Sequence, residues 1–213
     1  MRPSRRRLSI ESKASKAGRP REEAYERLIL QAGYEELATN GLSHFSVAAV
    51  ARRSGVARGT VYLRWPTRED LIVASAAVIS LHIVSPPEGS FESRLRFLAA
   101  ELADAFARPD ALRVLLRIDA DRELQPALFR RIYSFLQGST NKVMMACVRD
   151  AQASGEIRAD VSPMVFTRAF VGAMFVEALS KVPTRRVDKD FMDSLVLLMA
   201  AAVKLPDSPG ATP

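Results

Sequence analysis

The sequence predicts an all-α protein, a small N-terminal headpiece joined to a larger helical body, with about nine helices in total. Three observations carry that expectation. Apolar residues recur three to five positions apart in one stretch after another, the period of helices with a buried face. The stretches are bounded by Ser, Thr, Asn-Gly and Pro, residues that start and stop helices. No segment shows the strict alternation of a half-buried strand. With 213 residues and an apolar fraction of 48%, the chain can bury a sizeable core.

Residues 1–20 are expected to form a basic, disordered arm. Residues 1–21 hold eight Lys/Arg against Glu11 alone, and the other 192 residues balance at 23 basic and 23 acidic, so the net charge of +7 sits at the N-terminus. A charge block so poor in large apolar residues seeks a polyanion; a merely solubilising role is the plain alternative. Within it, Gly18-Arg19-Pro20-Arg21 is similar to the core of an AT-hook. Gly and Pro would keep the backbone extended, so that Arg19 and Arg21 can lie along a narrow A·T-rich minor groove.

Residues 21–71 read as the headpiece. "REEAYERLILQAGYEELATNG" predicts an amphipathic helix, with Glu22, Glu23 and Glu26 near its positive end and a stop at Asn40-Gly41. "SVAAVARR" predicts a second, short helix capped by Ser46. Ser54-Gly55-Val56 allow only a tight turn. Val47, Val50, Ala51, Val56 and Val61 then fall on the facing sides of two short helices, the pattern of a helix-turn-helix. The second of these, roughly residues 57–64, would present Arg58, Gly59, Thr60, Tyr62 and Arg64 outward. Glycine in so short a helix costs about 0.5–1 kcal/mol relative to alanine, which close approach to a base edge or phosphate would explain. In "WPTRED", Pro66 ends one helix, Thr67 with Asp70 has the form of a capping box for the next, and Trp65 is expected as an apolar plug. Arg68 in that first turn opposes the helix dipole, which a neighbouring phosphate would justify.

Residues 18–72 as a set, from "GRPREEAYERL" through "FSVAAVARRSGV" to "TVYLRWPTREDL", resemble the DNA-binding domain of TetR-family transcriptional regulators. Phe45 stands where the family commonly has Thr, Trp65 where it has Phe, and Arg68 where it has Lys. The resemblance implies that Ser46, Val47, Tyr62, Arg64 and Arg68 lie near DNA phosphates, and that Arg58, Gly59 and Thr60 face base edges.

Residues 72–205 read as an effector-binding and dimerisation body, followed by a flexible tail over 206–213. Helical patterns run from Leu71 to Val84, across "SFESRLRFLAAELADAFARP" and "DALRVLLRID", from Pro126 to Ser154, from Ser162 and Pro163 through "SPMVFTRAFVGAMFVEALS", and across "DKDFMDSLVLLMAAAVK". The resemblance implies a four-helix dimer interface built from the last two helices, with Phe166, Ala169, Gly172, Ala173, Phe191, Leu195 and Met199 as candidates. It also implies a ligand pocket, for which His82, Phe106, Leu115, Ile132, Phe135, Cys147, Phe170 and Met174 are candidate lining residues. Few ionisable groups interrupt these faces, so an apolar effector is expected. The functional expectation is a homodimeric repressor released from a palindromic operator in double-stranded DNA, with activation or ligand-independent regulation as the alternative.

Other classes fare worse. One cysteine, Cys147, forms no internal disulfide, and two histidines, His44 and His82, cannot assemble a zinc site, so no metal or cofactor is expected. No nucleophile motif or phosphate loop occurs, and Glu101, Asp104, Asp119, Asp121 and Glu123 are spaced like a solvated acidic face, so catalysis is not expected. The chain lacks a run of about 18 apolar residues, and "ESKASKAGRPRE" follows the first arginines where a signal peptide would be apolar. A cytoplasmic, nucleoid-associated protein is expected. An adaptor that binds RNA or membrane through the arm alone is the rival of a different class.

Overall fold

The computed structural model describes residues 19–79, 83–181, 184 and 186–205. Among them are nine α-helices and one short 3-10 turn, with no strand beyond an isolated bridge between Ile157 and Lys204.

Helix α1 (Arg19–Asn40) begins inside the basic motif. Arg19 to Arg21 are helical rather than extended, because Pro20 falls in the first turn, where its fixed φ and missing N–H cost nothing. Gly18 lies outside the described residues. The helix stops at Gly41, whose φ of +67° favours glycine. Helix α2 (Val47–Ser54) is capped by Ser46, whose Oγ accepts the Ala49 N–H at 3.3 Å, and closed by Gly55 at φ +69°. Helix α3 (Arg58–Arg64) follows the turn, and α4 (Arg68–Ala76) starts at Thr67, whose Oγ1 accepts the Asp70 N–H at 3.1 Å. Helix α4 tightens into the 3-10 turn Ala77–Ile79 instead of running to Val84, and residues 83–87 are irregular. The β-branched run of Val78, Ile79, Ile83 and Val84 before Pro86-Pro87 disfavours continued helix.

The body consists of α5 (Phe91–Ala107), α6 (Ala111–Ala120), α7 (Pro126–Ala153), α8 (Pro163–Ser180) and α9 (Lys189–Val203). Ser90 and Ser162 cap α5 and α8 through the N–H groups of Ser93 and Val165. One apolar cluster joins α5, α7, α8 and α9 around Leu98, Leu102, Met144, Val148, Phe170 and Val196. A second holds the headpiece around Ile29, Leu37, Val50, Val61 and Leu71, with Trp65 packed at its edge. Val114, Ile118, Leu128 and Ile132 of α6 and α7 belong to this second cluster. The body therefore supplies part of the headpiece's floor, and α4 runs straight through the position expected as the boundary at residues 71–72.

Candidate nucleic-acid interface and effector cavity

Helix α3 is short, and its one buried side chain is Val61, while Arg58, Gly59, Tyr62 and Leu63 are exposed. Arg58 and Tyr62 stand one turn apart. The Arg58 guanidinium lies 5.4 Å from the Tyr62 ring centre, over its face, and Nη2 donates to the Tyr62 hydroxyl at 3.2 Å. The pair holds a cation and a hydroxyl together on the helix's outer side. A Cβ on Gly59 would meet nothing within 4 Å among the described residues, so none of them demands glycine there. Leu63, 85% exposed, is a surface leucine that the sequence reading passed over, since helical spacing alone does not say which apolar residue in a seven-residue helix faces out.

The other basic residues of the set, Arg64 and Arg68, are half-buried and paired within the headpiece. Arg64 pairs with Glu26 at 2.6 Å and Glu22 at 3.8 Å, tying α3 to α1. Arg68 donates through Nε to the Phe45 carbonyl at 3.1 Å and through Nη2 to the Leu42 carbonyl, while Nη1 meets Glu69. Both guanidinium groups hold the headpiece together while more than a quarter of each side chain stays exposed. The Val47 side chain is likewise buried in the headpiece core, because α2 needs it against α1. Arg19 and Arg21 enter α1, and their side chains lie outside the description.

The residue that fixes α2 is one the sequence did not reveal. Glu36 is buried, and its carboxylate accepts from Asn40 Nδ2 at 2.8 Å, the Ser46 N–H at 3.3 Å and Arg53 Nη1 at 3.1 Å. One charge thus ties the end of α1 to the start and end of α2. A second carboxylate joins headpiece to body: Asp121 Oδ2 accepts the N–H groups of Leu42 at 2.7 Å and Ser43 at 2.9 Å. Burial opposes its charge, yet these N–H groups and the Ser43 hydroxyl outweigh it and hold the carboxyl below the ordinary carboxylate value. Asp121 is not part of a solvated acidic face. A Cβ on Gly41 would come within 2.8 Å of this oxygen, a second reason for glycine there. Tyr34 adds a further tie, donating its hydroxyl to the Pro109 carbonyl at 2.6 Å, and burial pushes its pKa up to about 12.

Beneath the headpiece, α5, α6, α7 and α8 surround a cavity of about 580 Å³. Phe106, Leu115 and Ile132 line it, as expected. Phe135 does not: it sits half-exposed on the outside of α7. Cys147, Phe170 and Met174 belong to the packed body core and do not line the cavity, and burial pushes the Cys147 thiol up to about 11. His82 lies outside the described residues. Phe129, Tyr133, Thr140, Thr167, Arg168 and Phe175, none of them among the expected lining residues, are also part of the wall, with the Phe129 and Tyr133 rings stacked 5.4 Å apart. Asp119 and Arg168, both exposed, mark the rim.

Comparison with known proteins settles what this arrangement belongs to. Residues 29–75 match the family described as bacterial regulatory proteins, tetR family, and residues 85–199, more than half of the chain, match the tetracyclin repressor-like C-terminal domain. The chain belongs to the TetR family.

TetR-family membership makes it a transcriptional regulator rather than an enzyme. The chain is 29% identical over 130 residues to YvdT, an uncharacterized HTH-type transcriptional regulator of Bacillus subtilis, a match covering 56% of this chain and 66% of that relative's length. Its fold matches that of a TetR-family regulator from Rhodococcus sp., with a TM-score of 0.67 at 21% identity over 85% of this chain and 100% of the other. The flavonoid-responsive regulator FrrA gives 0.64 at 21% identity, over 88% and 98%.

Within this TetR-family body, the two last helices divide their apolar residues between two faces. By length and composition α8 could cross a membrane, yet Phe166, Phe170, Met174 and Ala178 face the body core. Val165 and Val176 point the other way and are about two-thirds exposed, with exposed Ala169 between them. Leu197 and Leu198 do the same on α9. Of the residues expected at a dimer interface, Phe166 and Leu195 are core instead, Ala173, Phe191 and Met199 pack against the core, and Gly172 lines the cavity. The period of these helices could not separate the two faces, because both are apolar.

Proposed function

We propose that this TetR-family regulator is a homodimeric repressor that reads a palindromic operator through α3 and is released by a small ligand in the body cavity. The observation that carries the reading is the outer side of α3. Arg58, Gly59, Thr60 and Tyr62 form a compact hydrogen-bonding surface on a helix held rigidly from behind. Arg58 suits guanine O6 and N7, and exposed Leu63 offers an apolar contact of the kind a thymine methyl takes. Ser46 at the start of α2, with the N-terminal basic arm, suits phosphates. Arg64, which ties α3 to α1, and Arg68, which ties α4 to the carbonyls of Leu42 and Phe45, keep part of their side chains exposed and suit phosphates beside α3.

One recognition helix reads little sequence; two related by a two-fold axis read a palindrome with half-sites about 34–36 Å apart. The exposed apolar faces of α8 and α9 suit such pairing. The cavity suits a ligand, and the likeness to a flavonoid-responsive regulator supports one. Its walls α6 and α7 also hold the headpiece, through Asp121 and through Arg131, which pairs with Asp70 at 3.0 Å. A ligand that moves these walls shifts the headpiece, provided it binds the DNA-incompetent state more tightly, by about 1–3 kcal/mol for a typical coupling.

Selection of bound duplexes from a random pool by folded, ligand-free protein tests this reading. A palindrome with half-sites one helical turn apart is expected, and the absence of any enriched motif would overturn it. On the selected site, Arg58→Ala should cost about 1–3 kcal/mol, with little change on random DNA. Equal losses on both would make Arg58 a backbone contact.

A further inference from the structure

We propose that the cavity takes an amphipathic ligand and binds one neutral acceptor oxygen of it, such as a ketone, through the hydroxyls of Thr140 and Thr167. This rests on the reading of the cavity as the effector site, and adds the chemistry that the site selects.

Thr140 on α7 and Thr167 on α8 both line the cavity and are both buried, and neither hydroxyl has a hydrogen-bond partner among the described residues. A threonine in a helix commonly returns its hydroxyl to a carbonyl of the preceding turn; these two do not. Buried polar groups are almost always paired, and each exception calls for an explanation. Two exceptions on one cavity wall, from two different helices, point to a ligand group. Ser75, a third unpartnered hydroxyl, lies in the headpiece against Gly33 and shows that the pair is specific to the cavity only by its placement.

The rest of the lining decides the ligand's other features. Phe106, Phe129, Ile132 and Phe175 offer an apolar, largely aromatic wall that suits a planar or acyl body. The charged lining groups Asp119 and Arg168 are exposed, and Asp119 already pairs with Arg122 at 3.3 Å; Tyr133 and Asn141 are the other polar side chains of the wall. A carbonyl oxygen carries two lone pairs and can accept from both hydroxyls at once, whereas a single N–H can serve only one of them. The pairing therefore favours an acceptor.

The test uses the full chain and a nearly isosteric pair of probes, benzophenone and diphenylmethane, which differ in the carbonyl alone. Titration calorimetry should show benzophenone binding about tenfold more tightly than diphenylmethane. In the Thr140→Val/Thr167→Val variant the two probes should bind equally, and the ligand-free melting temperature should rise, because two unpartnered hydroxyls are gone. The Thr140→Ser/Thr167→Ser variant should keep the preference. Equal binding of the probes by the unaltered protein, binding of neither, or a preference that survives in the valine variant would each overturn the proposal. Operator release is scored separately. Benzophenone bound with the expected preference but leaving the operator complex intact would retain the polar subsite and remove the effector reading; release without preference would do the reverse.

Discussion

The headpiece and the body satisfy their side chains in different ways. In the headpiece, the short helices are capped, Glu36 accepts three hydrogen bonds, and Arg53, Arg64 and Arg68 are each matched to a carboxylate or carbonyl nearby. Among the described residues the headpiece leaves one buried hydroxyl, that of Ser75, without a partner, in its packed core; the body leaves two at a cavity of about 580 Å³ and exposes valine and leucine on α8 and α9. A part that must present one small surface at a fixed angle is closed on itself. A part that must pair and respond keeps faces and groups that only a partner or ligand completes. Polar substitutions should therefore act in opposite directions in the two regions.

The largest effect should come from the body's open face. Val176→Glu with Leu198→Glu places two charges on the exposed apolar stripe without entering the core. The variant should sediment as a monomer while keeping its helical circular dichroism. Operator affinity should fall roughly 100- to 10,000-fold, the gain that linking two weak contacts ordinarily provides. A variant that stays dimeric would assign α8 and α9 some other role and remove the reason for their double-sided apolarity.

Next in size is the headpiece hub. Glu36→Ala leaves the Ser46 N–H and Arg53 without their main acceptor, and should cost about 2–3 kcal/mol in chemical denaturation, less than a fully buried pair because Arg53 is 38% exposed. Glu36→Gln, which keeps an acceptor, should cost about half as much. A neutral Glu36→Ala would mean that α1 and α2 are held by apolar contact alone.

The same contrast explains what the sequence disclosed. Ser46, Gly55 and Thr67 were legible because capping is local: the donor and acceptor lie within three residues, so type and spacing suffice. Val61 was legible because a seven-residue helix needs one anchor. Glu36 was not, since its partners Ser46 and Arg53 lie 10 and 17 residues away and a glutamate on an amphipathic helix ordinarily faces water. In the body, the helices and the Ser162-Pro163 start of α8 were readable, but the cavity was only partly so. Phe106, Leu115 and Ile132 line it while Phe170 and Met174 do not, a division set by which faces of α7 and α8 meet. Thr140 and Thr167 were not legible as lining, because a threonine in an apolar helix carries no signal until its missing partner is seen.

The smallest effect belongs to the contact that joins the two regions. Asp121 accepts from Leu42 and Ser43, and its folded pKa lies below the value of about 3.9 that an aspartate has in an unfolded chain. The folded protein then binds fewer protons than the unfolded one as the group titrates. The stabilisation is complete above the unfolded value and disappears as pH falls through the folded one. Asp121→Asn keeps an acceptor and removes the charge, so the cost near neutral pH should be about 1 kcal/mol, reduced by partial exposure. Urea unfolding of the two proteins at a series of pH values should show a constant difference above pH about 5 that shrinks below about 4. A difference that does not shrink at all between pH about 5 and about 3 would assign the effect to lost geometry at the Gly41 turn, and the tie between headpiece and body would then be steric rather than electrostatic.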